Sequence, residues 1–199
     1  MTETVLQAQL NDLPQILVVC TGNICRSPMG EVVLKQRLDE AGISNYAIAS
    51  CGVSSEESGN PIYPPAARIL MENGYRVPTR RAHRATPEEL TTSGLILAMT
   101  VGHARALRPM LERLDVPLER VHLWREFDGT ATIAPEGCYG PDGVLGPDAE
   151  RPKRRGGYSD FYSSEGTYDV PDPWYTGDFI ATLEAVEAGA DGIVREIAR

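Results

Sequence analysis

The sequence has no long hydrophobic run and no excess of positive charge. Its 199 residues contain no stretch near the about 18 consecutive apolar residues of a membrane-spanning helix, so no membrane span is expected. The first residues include neither a basic region nor a long apolar one, from which we expect no signal peptide and a cytoplasmic protein. The net charge of −9 argues against a general nucleic-acid binder, because such proteins bind phosphates through Lys and Arg.

Cysteine is also scarce. The four cysteines, Cys20, Cys25, Cys51 and Cys138, form neither Cys-x-x-Cys pairs nor a zinc-binding spacing, so no metal site is expected. A chain of this length needs no disulfide framework. In a reducing compartment such side chains are usually small buried hydrophobic groups. We interpret Cys51 in this way, and Cys138 either in this way or as an exposed thiol.

What the sequence does contain is an alternation of strands and helices. Short apolar runs are followed by turns and then by segments with apolar residues at helical spacing. This order predicts an α/β fold: a single domain over residues 14–199, with a four-stranded parallel sheet and helices on both faces. Strands are predicted at 14–20, 46–50, 94–99 and 120–124, and helices at 28–41, 65–73, 103–114 and 178–198. Residues 1–13 are interpreted as a polar, partly mobile leader.

Residues 129–167 interrupt this alternation. Eight glycines and four prolines occur among these 39 residues, which is typical of a loop and not of a core. A loop of this length inside a domain is usually either functional or disordered. Two interpretations stay open. The insertion is a passive solvated loop, or it is a mobile flap that contacts protein substrates through a cluster of basic and tyrosine side chains. That cluster comprises Arg151, Lys153, Arg154, Arg155, Tyr158 and Tyr162.

The segment CTGNICRS, residues 20–27, lies between the first predicted strand and the first helix. Backbone N–H groups converge at such a position, and the helix dipole favours an anion there. The loop from Thr21 to Arg26 can wrap a tetrahedral oxyanion, and the Arg26 guanidinium can bind two of its oxygens. A positive cavity of this kind stabilises a thiolate, so Cys20 is predicted to be an activated nucleophile beneath a phosphorus atom.

Two motifs at opposite ends of the chain carry a resemblance to a known family. VCTGNICRSPM at residues 19–29 resembles the phosphate-binding loop of the low-molecular-weight protein tyrosine phosphatases. DVPDPWY at 169–175 resembles the Asp-Pro loop of that family. Between the two motifs, ASCG at 49–52 follows the second predicted strand, in the same order along the chain as in the family. The resemblance covers about residues 14–128 and 168–199. It implies hydrolysis of phosphotyrosine through a cysteinyl-phosphate intermediate.

The resemblance also implies a role for particular residues. Cys20 is the expected nucleophile, Arg26 the phosphate clamp, and Asp172 the general acid that protonates the leaving phenolate and later activates water. No metal or other cofactor is expected, because the loop amides, the helix terminus and Arg26 supply the positive field. The expected phosphate-binding residues are Thr21, Gly22, Asn23, Ile24, Cys25, Arg26 and Ser27.

Further roles follow for residues around this centre. Ser27 is expected to hydrogen-bond Cys20, and Asn23, which tolerates the left-handed conformation, to brace the loop. Trp174 and Tyr175 are expected to bind substrate by lining the cleft beside an aromatic ring. Cys25 is a redox residue by the same resemblance, since a reversible disulfide with Cys20 would protect the nucleophile from irreversible oxidation.

The sequence departs from the family pattern at two places. Thr100 follows Met99, where the family usually has Asp. Two interpretations of His103 stay open: it supports the phosphate-binding loop in place of that Asp, or it is a surface residue of the following helix. The segment SSEESGNP at 54–61 lacks the aromatic residue that many relatives place over the substrate ring. Tyr63 is the candidate to compensate for that absence.

Two related enzyme classes carry similar loops. Thioredoxin-coupled arsenate reductases need a further, closely spaced cysteine pair, which Cys51 and Cys138 do not form. Protein arginine phosphatases characteristically carry Thr where Ile24 stands. The bulky Ile24 would crowd a phosphorylated guanidinium and favours a tyrosyl ring.

The expected partner is a phosphotyrosine-containing protein, with a cognate tyrosine kinase among the candidates. A catalytically silent phosphotyrosine-binding module is the alternative from another class. It would have lost Cys20, Arg26 or Asp172, and all three are present. The sequence leaves the oligomeric state open.

Overall fold

The structure, a computed structural model, describes residues 4–147, 149 and 167–199. Its centre is a four-stranded sheet in the order β2–β1–β3–β4. All three strand pairs are parallel, which confirms the predicted α/β fold. The strands are β1 (Gln15–Cys20), β2 (Ala47–Gly52), β3 (Leu95–Ala98) and β4 (Val121–Leu123).

Helices cover both faces of this sheet. They are α1 (Val5–Asp12), α2 (Arg26–Glu40), α3 (Pro64–Glu72), α4 (Pro87–Thr92), α5 (Val101–Glu112), α6 (Pro173–Thr176) and α7 (Phe179–Ile197). Two 3₁₀ helices, Leu118–Arg120 and Trp124–Glu126, flank β4. The long predicted helices are confirmed, with ends that differ by a few residues. The short α4 was not predicted, although Thr86 and Glu89 form the capping box that begins it.

The two faces of the sheet belong to two separate hydrophobic clusters. In β1, Ile16 and Val18 belong to one cluster, whereas Leu17 and Val19 belong to the other. Successive side chains of a strand point to opposite faces, so a strand buried on both sides reads as the continuous apolar run seen in the sequence. The carboxyl end of β1 is thereby fixed in the middle of the domain.

The described part of the segment interpreted as a partly mobile leader forms a helix that packs against α7. Thr4 and Gln7 form a capping box that begins α1. Leu6 and Leu10, four residues apart on one helix face, are buried in the hydrophobic cluster that contains Ile16 and Val18. The Gln7 side chain also donates to the carbonyl oxygen of Ile197 at 3.0 Å, near the other end of the chain.

The first part of the insertion is packed against the sheet. Cys138 is fully buried in the hydrophobic cluster that contains Leu17 and Val19, so it is not an exposed thiol. Its N–H donates to the carbonyl oxygen of Val121 at 2.7 Å, and the Tyr139 hydroxyl donates to the carbonyl oxygen of Ala104. Gly137 permits this approach, because a Cβ there would lie 2.7 Å from the Val121 oxygen. The basic and tyrosine residues of the expected flap, at positions 151–162, lie outside the described residues.

Candidate active site

The site is built on the loop that joins β1 to α2. β1 ends at Cys20 and α2 begins at Arg26, so the loop lies at the carboxyl edge of the sheet and at a helix N-terminus. The N–H groups of Val53 and Ser54 donate to the carbonyl oxygens of Cys20 and Thr21 at 2.9 and 3.0 Å. These bonds attach one side of the loop to the segment that follows β2.

Most N–H groups of the loop have no partner among the described residues, which leaves them available to a ligand. In the described part of the chain, the N–H groups of Gly22, Ile24, Cys25 and Arg26 donate to no other backbone group. Unsatisfied N–H groups at a helix N-terminus form an anion-binding site. The arrangement fits the oxyanion cradle expected from the sequence.

Asn23 holds the loop in shape. It has a left-handed backbone with φ of 60°, as the sequence predicted. Its amide nitrogen donates to the hydroxyls of Ser27 and Ser50 at 3.0 and 2.9 Å. Its amide oxygen accepts from Arg80 at 2.5 Å and from the N–H of His83 at 3.2 Å. Each polar atom of this buried side chain therefore has a partner.

Sequence reasoning missed the residues that brace Asn23 from behind. The Ser50 hydroxyl donates to Glu31 at 2.5 Å, and Glu31 lies 3.6 Å from Arg80 as an ion pair. Arg80 also donates to the carbonyl oxygens of Asn23 and Ser50. These residues come from α2, β2 and a loop, so only the tertiary fold brings them together.

Cys20 receives two hydrogen bonds at its sulfur. The Ser27 hydroxyl donates to Sγ at 3.0 Å, as expected, and the N–H of Asn23 donates to it at 3.3 Å. Donors aimed at the sulfur stabilise a thiolate. At Cys25, burial, followed by the negative charge of Cys20, raises the pKa of the thiol. Both are free cysteines in the structure, and their disulfide stays a prediction.

Arg26 and Asp172 meet in this cleft, from opposite ends of the chain. Nη2 of Arg26 lies 2.6 Å from Oδ2 of Asp172, and both side chains are buried. Nη2 also lies 3.5 Å from the Thr21 hydroxyl, whereas Nη1 is buried without a partner in the described chain. The other oxygen of Asp172 accepts from the N–H of Trp174, so Asp172 caps α6 and Pro173 occupies its first position.

Asp169 positions the segment that carries Asp172. Its carboxylate accepts from the N–H of Val101 at 2.7 Å, at the beginning of α5. The next residue, Val170, donates its N–H to the carbonyl oxygen of Met99 at 2.9 Å. The Asp-Pro segment is thus attached to the end of β3, beside the phosphate-binding loop. Asp169 is the first residue of the DVPDPWY motif, but the sequence alone predicts no role for it.

His103 contacts the loop and is buried, so it is not a surface residue of α5. Its Nε2 lies 2.8 Å from the Thr21 hydroxyl, and the Thr100 hydroxyl accepts its N–H as the cap of α5. Burial, and then the positive charge of Arg26, lower the pKa of His103 well below the usual value of 6.5. The ring is therefore neutral near pH 7, so it adds no positive charge beside Arg26.

A cleft of about 180 Å³ opens above Cys20. Trp174 and Tyr175 line it with 54% and 71% of their surface exposed, as predicted. Tyr63 is not among the residues that line the cleft. The centroid of its ring lies 5.1 Å from that of Trp174 and 6.1 Å from that of Phe179, so Tyr63 supports Trp174 from the side away from the cleft. The cleft residues are Cys20, Thr21, Gly22, Ile24, Cys25, Arg26, Glu56, Glu57, Asp172, Trp174 and Tyr175.

The described residues offer neither a metal-binding cluster nor a membrane-spanning helix. Over that part of the chain, His, Cys, Asp and Glu side chains form no group of three that could hold a metal ion. None of the helices assigned there combines the length and apolarity that crossing a membrane requires.

Comparison with known proteins agrees with this geometry. The family model described as low molecular weight phosphotyrosine protein phosphatase matches residues 15–136. A low molecular weight protein-tyrosine-phosphatase of Streptomyces coelicolor is 30% identical over 186 residues, which cover 92% of this chain and 93% of that protein. Low molecular weight protein-tyrosine phosphatase A of Mycobacterium tuberculosis is 34% identical over 134 residues, covering 65% of this chain and 78% of that protein.

Solved structures share the fold. YfkJ from Bacillus subtilis superposes with a TM-score of 0.70 at 22% identity, covering 94% of this chain and 95% of that one. A mutant of the arginine phosphatase YwlE superposes with a TM-score of 0.66 at 21% identity, covering 93% and 96%. From the family match together with the Streptomyces relative, the chain belongs to the low molecular weight phosphotyrosine protein phosphatase family.

Proposed function

We propose that this protein hydrolyses phosphotyrosine in protein substrates, with Cys20 as nucleophile, Arg26 as phosphate clamp and Asp172 as general acid. The observation that carries the proposal is the meeting of these three side chains in one cleft, with Arg26 and Asp172 2.6 Å apart. Sγ of Cys20 attacks phosphorus while the bond to the tyrosyl oxygen breaks. Asp172 donates a proton to that oxygen, because a phenolate leaves more readily when it is protonated.

In the second step water attacks the cysteinyl phosphate. Asp172, now a carboxylate, accepts a proton from this water, and the sulfur leaves as a thiolate. The Ser27 hydroxyl, 3.0 Å from Sγ, stabilises that leaving sulfur. In both steps the loop N–H groups and Arg26 stabilise the charge on the phosphoryl oxygens. These groups supply positive charge where other phosphatases use a metal ion, so we expect activity to survive a chelator.

The lining of the cleft favours a tyrosyl over an arginyl substrate. The fold does not decide between them, since YwlE, titled an arginine phosphatase, shares it. Ile24 is an apolar residue of the cleft lining, and Trp174 and Tyr175 offer aromatic surface. Aromatic surface packs well against a phenyl ring. The arsenate reductase alternative would need a relay cysteine, and Cys51 and Cys138 are both buried thiols.

We also propose that the protein works in the cytoplasm. A reducing compartment keeps a thiol nucleophile from forming disulfides, and all four cysteines are unpaired in the structure. Phosphotyrosine proteins are the proposed substrates, and a cognate tyrosine kinase is a candidate among them.

The test compares two peptides of the same sequence, one with phosphotyrosine and one with phosphoarginine. We expect kcat/KM to be higher for the phosphotyrosine peptide, and Cys20→Ser to eliminate turnover, because a serine hydroxyl is too weakly acidic to replace the thiolate. Circular dichroism confirms that the variant is folded. Preference for phosphoarginine would overturn the substrate assignment, and a fully active Cys20→Ser variant would overturn the mechanism.

A further inference from the structure

Two carboxylates of the loop that follows β2, Glu56 and Glu57, line the active-site cleft. Glu57 lies directly against the phosphate-binding loop, since a Cβ added to Gly22 would be 2.7 Å from its Cγ. One Glu57 oxygen accepts from the side chain of Asn60 at 2.7 Å. Glu56 is exposed. Two negative charges therefore lie at the edge of a site built to bind an anion.

These glutamates have no ion-pair partner: neither is paired with any Lys, Arg or His of the described residues. The nearby arginines are engaged elsewhere: Arg80 binds Asn23 and Glu31, and Arg81 donates to the carbonyl oxygen of Gly59. Because the whole chain carries a net charge of −9, no general positive field compensates the pair either.

The cleft also has an unfilled requirement for an anion. Nη1 of Arg26 is buried and has no partner in the described chain, in a side chain that is 3% exposed. A buried guanidinium nitrogen without an acceptor is costly, which indicates a ligand that supplies one. A ligand that suits both features is anionic where it meets Arg26 and cationic where it meets Glu56 and Glu57.

We propose that the cleft selects phosphotyrosine with a lysine or arginine next to it in the peptide, and that Glu56 and Glu57 bind this basic side chain. The inference rests on the proposed function and adds the class of substrate to it. The phosphate contacts Arg26 and the loop amides, the tyrosyl ring lies by Trp174 and Tyr175, and the neighbouring cation offsets the repulsion between the carboxylates and the phosphate dianion.

The test uses three phosphotyrosine peptides that differ only at the flanking residues, which are Lys, Gln or Glu. We expect the wild-type protein to have a kcat/KM about three- to ten-fold higher for the Lys peptide than for the Gln peptide at low salt, as two exposed ion pairs allow. The Glu peptide should be the poorest. At about 0.5 M salt the preference should shrink, because surface charges are then screened.

A matched pair of variants separates local from overall charge. Glu56→Gln/Glu57→Gln and Glu72→Gln/Glu184→Gln each change the net charge from −9 to −7. Glu72 on α3 and Glu184 on α7 are exposed, lie outside the cleft and have no ion pair among the described residues. We expect the first variant to lose the preference for Lys and to gain on the Gln peptide, and the second to keep the preference.

The outcomes are distinct. Equal kcat/KM for the three peptides in the wild type, or the same loss of preference in both variants, overturns the inference while leaving the phosphatase intact. A uniform loss on all peptides in Glu56→Gln/Glu57→Gln also overturns it, since this indicates a structural role of the loop. If the wild-type protein hydrolyses none of the three peptides, this result contradicts the proposed function itself.

Discussion

Arg26, the first residue of α2, and Asp172, the cap of α6, form an ion pair in the active-site cleft. Asp172 has two tasks, since one oxygen contacts Arg26 and the other caps α6. A substitution therefore has to separate proton donation from the capping of a helix. Asparagine does this, because it caps helices well but cannot act as a general acid.

We expect Asp172→Asn and Asp172→Ala to lower kcat for aryl phosphates by about 100- to 10,000-fold, the range of general acid catalysis. The loss should shrink as the leaving group becomes more acidic, because such a group departs without a proton. Steady-state kinetics on a series of substituted phenyl phosphates measures this trend. An equal loss for every leaving group would contradict the assignment of Asp172 as the acid.

His103 gives the protein a dependence of stability on pH. Its pKa is well below 6.5 in the folded state, so below pH 6.5 the unfolded chain binds the proton more readily. This contribution to stability is fully present above pH 6.5 and is lost as the pH falls. We expect His103→Gln to reduce the acid-side slope of the free energy of unfolding by up to about 1.4 kcal/mol per pH unit. Urea denaturation between pH 7 and pH 5 provides the measurement. An unchanged slope would show that His103 titrates normally.

At the scale of elements, the segment before α6 is placed by its attachment to β3 and α5. Asp169→Ala removes the acceptor of the Val101 N–H, and we expect it to lower the free energy of unfolding by about 0.5–2 kcal/mol, as for a lost helix cap. It should also lower kcat, because Asp172 is no longer held over the cleft. Asp169→Asn keeps an acceptor and should recover most of both. A less stable Asp169→Ala variant with unchanged kcat would show that Asp172 is positioned independently.

The elements also show what a sequence can and cannot predict here. The apolar run of β1 and the CTGNICRS motif predicted a strand, a loop and a helix, and the loop lies where they placed it. Arg80 and Glu31 could not be predicted, because isolated polar residues carry no periodicity and their contacts span 49 residues of sequence. Helix α1 had a signal in its capping box and in Leu6 and Leu10, but eight residues give a weak pattern.

At the scale of the whole molecule, the two ends of the chain pack together. Helix α1 lies against α7, and Leu10 is fully buried in the hydrophobic cluster that contains Ile16 and Val18. We expect Leu10→Ala to cost about 2–5 kcal/mol in the free energy of unfolding, through lost burial and a cavity. Asp12→Ala, an exposed change in the same helix, should stay within about 0.5 kcal/mol. Chemical denaturation of both variants decides this. A small effect of Leu10→Ala would support the interpretation of this segment as a loosely attached leader.

In the structure Asp172 contacts Arg26 and so occupies part of the site at which the guanidinium would bind a phosphate. In its ionised form the Asp172 carboxylate is an anion tethered beside the phosphate site, so a free anion has to compete with it for the guanidinium. Removing the carboxylate therefore has two effects at once: catalysis slows, and a competitor of the substrate disappears. Asp172→Ala should hold phosphorylated proteins longer than a variant that is slow for another reason. Because this variant releases phosphorylated proteins slowly, Asp172→Ala is suited to capturing the physiological substrates of the protein from a cell extract.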